Sequence, residues 1–127
     1  MRKNIVITNG PNAAGHFSHA VVANGLVFVS GQIGMVPGTT TIPDNFAEQV
    51  RQCIRNMENI LKQAGCGLSD IIKVNTYLSD ATRFNEYNDV YKEFFSSNAP
   101  ARTTCAAGLI GVWIEMDCIA LLPETAA

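Results

Sequence analysis

The sequence predicts an α/β fold of the two-layer kind, an α+β sandwich in which two helices cover one face of a mixed sheet of up to six strands. Two observations carry this prediction. In two segments apolar residues recur at intervals of three and four, as on one face of a helix. Six other segments are short, apolar and rich in β-branched residues, as strands are. Their order is β-β-β-α-β-α-β-β, and the length of 127 residues indicates one domain, residues 1–127.

The first three strands are predicted before the first helix. Residues 5–7 form a short apolar run, and residues 20–22 and 26–30 flank the dipeptide Asn24-Gly25. Asn-Gly favours the type I′ turn of a hairpin, because both central positions of that turn need positive φ. We therefore expect a hairpin between the second and third strands.

Both helices carry capping signals as well as an apolar face. The first is predicted to begin after Asp44 as its N-cap and to end before Gly65 as its C′ residue. Its apolar face consists of Phe46, Val50, Ile54, Met57, Leu61 and Ala64. The second is predicted over residues 82–95, with Asp80 as its cap. Its apolar stripe is aromatic and consists of Phe84, Tyr87, Tyr91 and Phe94.

Three further strands are predicted over residues 71–78, 102–107 and 112–122. If both helices cover one face of the resulting sheet, the other face is left bare in a single chain. The composition agrees with this, since only 16% of the residues are charged, against roughly 25% in an average soluble domain. A bare sheet face and a low charge content both indicate an oligomer that hides part of the surface.

Composition and charge also argue against several functional classes. The net charge of −2 and the lack of a basic run argue against a nucleic-acid partner. No apolar stretch approaches the roughly 20 residues of a membrane span, and the N-terminus lacks the features of a signal peptide. The four cysteines form no C-x-x-C pair, and the two histidines have no further ligands at metal-binding spacing. We therefore expect a cytoplasmic protein that uses no metal or cofactor and binds neither membrane nor nucleic acid.

Three places in the sequence could carry chemistry. Ser30-Gly31 ends a predicted strand, where a glycine lets a ligand approach the backbone, although a plain strand end has the same residues. Arg102 opens an apolar strand and needs an acidic partner, which is Glu115, Asp117 or the carboxylate of a ligand. Those two carboxylates share one strand face, where they serve as general acid or base or form an acidic row toward solvent. The residues alone leave these alternatives open.

Cysteine chemistry is a further alternative. Cys53 lies on or near the apolar side of the first helix, while Cys105 and Cys118 lie in predicted strands, where a buried and inert thiol is the common case. A Cys–His nucleophile pair would require His16 or His19 to approach Cys105 in space. We expect the inert thiols.

Seven motifs, in order along nearly the whole chain, resemble the RidA (YjgF) family. They are GHFSHA at 15–20, FVSGQI at 28–33, the helix from EQVRQ to NIL at 48–61, KVNTYL at 73–78, FNEYN at 84–88, PART at 100–103 and IEMD at 114–117. The resemblance implies a chorismate-mutase-like fold and a homotrimer with active sites in clefts between subunits. It also implies hydrolysis of enamines and imines of amino acids, such as 2-aminoacrylate, to 2-keto acids and ammonia.

The resemblance implies site roles residue by residue. Arg102 matches the arginine that binds the substrate carboxylate, and Glu115 matches the glutamate that positions or activates water. The matches to substrate-binding positions of the cleft are Phe17, Ser30, Gly31, Asn88 and Thr104. Phe17 stands where many members have a tyrosine, and the stretch 106–112 is shorter than the usual loop. Both differences border the cleft and therefore bear on substrate choice.

The leading hypothesis is a hydrolytic deaminase of 2-imino or enamine acids that works with small carboxylate-bearing substrates and no cofactor. One alternative is a deaminase of 2-aminomuconate-type substrates, and another is a non-catalytic trimeric binder of small carboxylic acids. Ribonuclease activity has also been attached to this family, but the acidic balance of the chain argues against it.

Overall fold

The protein is described from a computed structural model that covers residues 2–7, 10, 13 and 15–123. Its helices and strands follow the predicted order β-β-β-α-β-α-β-β. They are β1 (Lys3–Ile5), β2 (Ala20–Ala23), β3 (Leu26–Ile33), α1 (Phe46–Gln63), β4 (Ile71–Leu78), α2 (Phe84–Phe94), β5 (Ala101–Ala106) and β6 (Ile114–Leu121). Single 3-10 turns at Leu68–Asp70 and Ala81–Arg83 precede β4 and α2.

The six strands form one mixed sheet in the order β1-β2-β3-β6-β4-β5. Neighbouring strands are antiparallel, except that β4 and β5 run parallel. Helix α1 packs on β3 and β6 and against α2, and a hydroxyl of α2, from Tyr87, bonds to Thr76 of β4 at 2.7 Å. Both helices therefore cover the same face, which confirms the predicted α+β fold.

Local sequence signals predict most turns and caps correctly. Asn24 and Gly25 have φ of 52° and 75°, which confirms the hairpin turn between β2 and β3. Gly65 follows α1 with φ of 87°, as predicted for the C′ residue. The predicted N-cap is wrong by one residue, since Asn45 rather than Asp44 accepts a hydrogen bond, at 3.0 Å, from an amide of the first turn.

The two faces of the sheet differ in what covers them. Along β6, residues alternate between burial against the helices and partial exposure on the opposite side. The buried residues are Ile114, Met116, Cys118 and Ala120, and the partly exposed ones are Glu115, Asp117 and Ile119. Phe28 of β3, which pairs with Ile119, is 42% exposed. The face without helices is the bare face that the strand order predicted.

Three of the four thiols are buried, as expected, but Cys105 is exposed. Burial raises the pKa of Cys118 to about 12 and also raises that of Cys53. Cys105 contradicts the expectation because it lies on the edge strand β5 and faces the side without helices. His19 immediately precedes β2, and β2 is four strands away from β5 in the sheet. One chain therefore does not bring His19 and Cys105 together.

The described ranges contain no helix that is long and apolar enough to cross a membrane. They also contain no group of three or more histidine, cysteine or acidic residues that could hold a metal ion.

Candidate active site

Strand β3 contains a bulge at Ser30 and Gly31. These two residues together face Asp117 of β6, since the register with β6 shifts between Val29 and Gln32. The side-chain Nε2 of Gln32 donates to the backbone carbonyls of both bulge residues, at 3.3 and 3.2 Å, and so holds the bulge in place. Bulges turn backbone out of the strand ladder and are common beside active sites. The interpretation of Ser30-Gly31 as a strand end is therefore wrong, since the strand continues through them.

Glu115 lies directly against this bulge. A Cβ atom at Gly31 would be 2.5 Å from Oε2 of Glu115 and 3.0 Å from its carboxyl carbon. A side chain at position 31 would therefore displace the carboxylate, whereas glycine lets it approach the backbone. The close packing of these two residues fixes where the carboxylate lies.

Gly31 and Glu115 line a cavity of about 700 Å³. Its apolar lining includes Phe17, Ile33, Met35, Leu109, Ile110 and Val112. Ser30 also lines it, and its hydroxyl donates to the carbonyl of Ser18 at 2.6 Å, which ties the segment that carries Phe17 to β3. The structure thus brings four sequence-predicted site residues to one cavity, namely Phe17, Ser30, Gly31 and Glu115.

The two histidines have different surroundings. His19 is 2% exposed, and its Nδ1 accepts a hydrogen bond from the amide of Ile7 at 3.1 Å. The first strand spans Lys3–Ile5 and not the predicted residues 5–7, and the amide of residue 7 bonds to this imidazole ring and not to a strand. His16 is exposed and lies in a separate shallow depression. His19 therefore acts as a structural anchor at the edge of the cavity.

Arg102 belongs to a second group of site residues on the helix side of the sheet. It pairs with Val74 of β4, which is fully buried beneath the helices. Its guanidinium carbon lies 4.6 Å from the centre of the Tyr91 ring and 5.3 Å from that of Tyr87. Its Nη1 donates to Oδ1 of Asn88 at 2.9 Å. Aromatic faces and one neutral amide therefore hold this cation.

Of the partners that the sequence leaves open for Arg102, neither Glu115 nor Asp117 pairs with it within one chain. Asp117 instead accepts hydrogen bonds from Asn75 at 2.9 Å and from Tyr77 at 3.2 Å, on the bare face. Among the described residues, the ion pairs are formed by other arginines. The guanidinium of Arg102 thus keeps donor groups that no carboxylate of the described chain occupies.

The tyrosines around Arg102 are buried, and burial raises the pKa of their hydroxyl groups. Burial raises the pKa of Tyr91 to about 12, although the nearby Arg102 lowers it in part. Burial also raises the pKa of Tyr87, whose hydroxyl is bonded to Thr76. Thr104 pairs with Thr76 in the register of β4 and β5, and so lies on the same side as Arg102. Asn88, Arg102 and Thr104 therefore form one group.

The two groups lie on opposite sides of the sheet. Glu115 of β6 pairs with Tyr77 of β4, and Tyr77 pairs with Cys105 of β5. Side chains alternate along a strand, so Arg102, three residues before Cys105, points to the other side. One copy of the chain therefore carries both halves of the predicted site but does not bring them together.

Sequence reasoning misses two features of the site. The ring platform under Arg102 comes from Phe84, Tyr87 and Tyr91, whose spacing predicts only the apolar stripe of a helix. Leu109 and Ile110 lie in the stretch 106–112, which the family resemblance puts at the border of the cleft, but nothing in their composition indicates that they line a cavity. The sequence contains one signal that could have predicted the platform, namely Arg102 in the strand that follows the aromatic helix, since arginine often stacks on rings.

Comparison with known proteins identifies the family. The sequence model of the family described as Endoribonuclease L-PSP matches residues 7–122. The chain belongs to this family. The solved structures similar to this chain include a protein of the Rid family and the YjgF gene product of E. coli. The predicted resemblance to the RidA (YjgF) family is therefore confirmed.

Three relatives illustrate the family. Human 2-iminobutanoate/2-iminopropanoate deaminase is 36% identical over 124 residues, which are 95% of this chain and 90% of that protein. The crystal structure of the Escherichia coli YjgF gene product has a TM-score of 0.87 and 33% identity, with 94% and 98% of the two chains covered. The structure of E. coli TdcF with bound serine has a TM-score of 0.89 and 32% identity, with 95% and 99% covered.

Proposed function

We propose that this chain hydrolyses 2-imino acids and their enamine tautomers to 2-keto acids and ammonia. The proposal rests mainly on Arg102. Its guanidinium contacts only neutral groups, and it has donors left that can bind a carboxylate. A planar guanidinium binds a carboxylate through two parallel hydrogen bonds, as a 2-imino acid would require. The human relative at 36% identity, which is named for this reaction, supports the proposal.

The proposed site is completed between copies of the chain. Arg102 and Glu115 lie on opposite sides of the sheet in one chain, so a single substrate can reach both only if a second copy supplies one of them. We propose a homotrimer with three such clefts between subunits. The bare sheet face and the low charge content support an assembly of this kind.

In the proposed mechanism, Arg102 and the backbone amide of Gly31 hold the substrate carboxylate. Glu115 takes a proton from water as the water oxygen bonds to the imine carbon, and it gives this proton to the nitrogen that receives the C=N electron pair, so that a carbinolamine forms. Glu115 then takes the proton of the carbinolamine hydroxyl and delivers it to the amino nitrogen. The C–N bond breaks, the C=O bond of the keto acid forms, and ammonia leaves. The imine carbon is already electrophilic, so positioning and proton transfer by one carboxylate account for the acceleration.

Two other functions are candidates on specific observations. Binding without turnover is supported by the TdcF structure with bound serine, since serine carries a carboxylate but no imine. A larger, 2-aminomuconate-type substrate is supported by the cavity volume of about 700 Å³. Both alternatives keep Arg102 as the carboxylate anchor; the first lacks the hydrolytic step, and the second applies that step to a longer substrate.

The proposal is tested by generating 2-imino acids in place with an amino-acid oxidase and trapping the surviving imine with semicarbazide. The wild-type chain is expected to lower semicarbazone formation, and Arg102→Ala and Glu115→Gln are each expected to lose about 100-fold in kcat/KM. Arg55→Ala is the matched control, because Arg55 also lies over a ring, that of Phe94 at 5.6 Å, but on α1. Carboxylate binding without any imine loss would favour the binder.

Light scattering of the same proteins tests the assembly. A trimer is expected for the wild-type chain and for all three variants. A monomer that still hydrolyses imines would contradict a cleft shared between copies.

A further inference from the structure

The cavity beside Glu115 is larger than the reacting groups require. Its volume is about 700 Å³. The carboxyl and imine groups, which all 2-imino acids share, occupy only the part next to Gly31 and Glu115. In the half of the cleft that one chain supplies, the remaining space lies beside the part that differs between substrates, the side chain.

The wall around this space is apolar. Its lining includes the ring of Phe17, the thioether of Met35 and the aliphatic side chains of Leu109 and Ile110. Ile110 is 96% exposed and Phe17 is 46% exposed, so these residues present apolar surface that their own chain does not cover. Covering such surface with an apolar group is favourable, because water is released from both.

The polar side chains of the lining are largely committed to the fold. The Ser30 hydroxyl donates to the carbonyl of Ser18, and the Gln32 amide donates to two carbonyls of the bulge. Nδ1 of His19 accepts from the amide of Ile7. A polar substrate side chain would therefore lose water in this cavity without gaining equivalent hydrogen bonds, which is unfavourable.

We propose that this cavity selects 2-imino acids whose side chains are apolar over those whose side chains are polar. Such a side chain packs against Phe17, Met35 and the segment of Leu109 and Ile110. The inference rests on the proposed deaminase function and adds the substrate class to it. The reaction is the same for each substrate, with water added across C=N and ammonia released, so the side chain alone decides the preference.

A pair of substrates of equal size tests the preference. The imines formed from leucine and asparagine have side chains with the same number of heavy atoms and the same branching, but only the second is polar. With excess oxidase and semicarbazide trapping, kcat/KM is expected to be at least about tenfold higher for the leucine-derived imine. Hydrolysis of both imines within twofold of each other would overturn the selectivity and leave the deaminase function standing. Hydrolysis of neither would overturn the deaminase function itself.

A matched pair of variants assigns the preference to the cavity. Leu109→Asn keeps the shape of the wall but makes it polar, and is expected to lower the leucine-to-asparagine ratio at least about fivefold. Leu121→Asn makes the same change on a residue that is 48% exposed at the far end of β6, and is expected to leave the ratio unchanged. Ile110→Asn is a second variant of the wall on a fully exposed residue, so its fold is preserved. An unchanged ratio in both wall variants, with an intact assembly, would overturn the proposal.

Discussion

Glu115 is positioned by backbone geometry, whereas Arg102 is positioned by side-chain packing. Glu115 lies against a bulge of β3 where glycine leaves space for its carboxylate. Arg102 lies on the edge strand β5, between aromatic rings and an amide of α2. The first arrangement tolerates almost no added atom. The second tolerates changes that keep an aromatic ring beneath the guanidinium and a neutral amide beside it.

Adding one methyl group at the bulge should have the largest effect. Gly31→Ala places a Cβ 2.5 Å from Oε2 of Glu115, so the carboxylate must move. We expect kcat/KM for 2-imino acids to fall about 100-fold, as it does when catalytic groups are displaced by about 1 Å. Gly67→Ala is the control, since nothing lies within 4 Å of its Cβ position. Full activity of Gly31→Ala would show that the bulge does not position Glu115.

Giving Arg102 a carboxylate partner within its own chain should have the next largest effect. Asn88→Asp replaces the amide 2.9 Å from Nη1 with a group that neutralises the guanidinium. We expect KM to rise about 30-fold with little change in kcat, because the substrate carboxylate then competes with an internal one. Asn85→Asp, an exposed position of the same helix, is the control. A fall in kcat at constant KM would contradict the anchoring role.

Removing the ring beneath Arg102 should have a smaller effect. Tyr91→Leu deletes the ring 4.6 Å from the guanidinium, and a cation–π contact of about 1 kcal/mol corresponds to roughly a five- to tenfold rise in KM. Tyr91→Phe should keep wild-type KM, because the buried Tyr91 hydroxyl has no hydrogen-bond partner among the described residues. Equal losses in both variants would assign the role to the hydroxyl and not to the ring.

Loosening the Phe17 segment should have the smallest effect. Ser30→Ala removes the hydrogen bond of 2.6 Å to the Ser18 carbonyl, which is worth about 1 kcal/mol. We expect a roughly fivefold rise in KM and a slightly lower Tm. Ser69→Ala, on an exposed turn, is the control for the loss of a hydroxyl. An unchanged KM would mean that the segment stays in place without this bond.

The local signals in the sequence predict the elements well, because each depends on a few adjacent residues. The Asn24-Gly25 turn, the apolar face of α1 and the glycine after it are all readable in this way. The N-cap shows the limit of such signals. Asp44 and Asn45 are both good caps, and only the path of the backbone decides which side chain faces the first turn.

The site is less predictable, because its contacts join residues that are distant in sequence. The sequence leaves open whether Arg102 pairs with Glu115, Asp117 or a ligand carboxylate, and it is the register of β5 with β4 that turns Arg102 toward the rings of α2. The bulge at Ser30 and Gly31 depends on what β6 presents opposite them, which their own composition does not encode. Cys105 is exposed because β5 is an edge strand, a property of strand order and not of the residue.

The position of β6 has a consequence for how the protein acquires its site during synthesis. This strand is the last of the described chain, yet it pairs on one side with β3 and on the other with β4. The bulge of β3 has no strand to lie against until β6 arrives, and the β4–β5 pair is not joined to the rest of the sheet. We therefore expect the sheet of the nascent chain to remain open until β6 emerges from the ribosome, and then to close in one late, cooperative step.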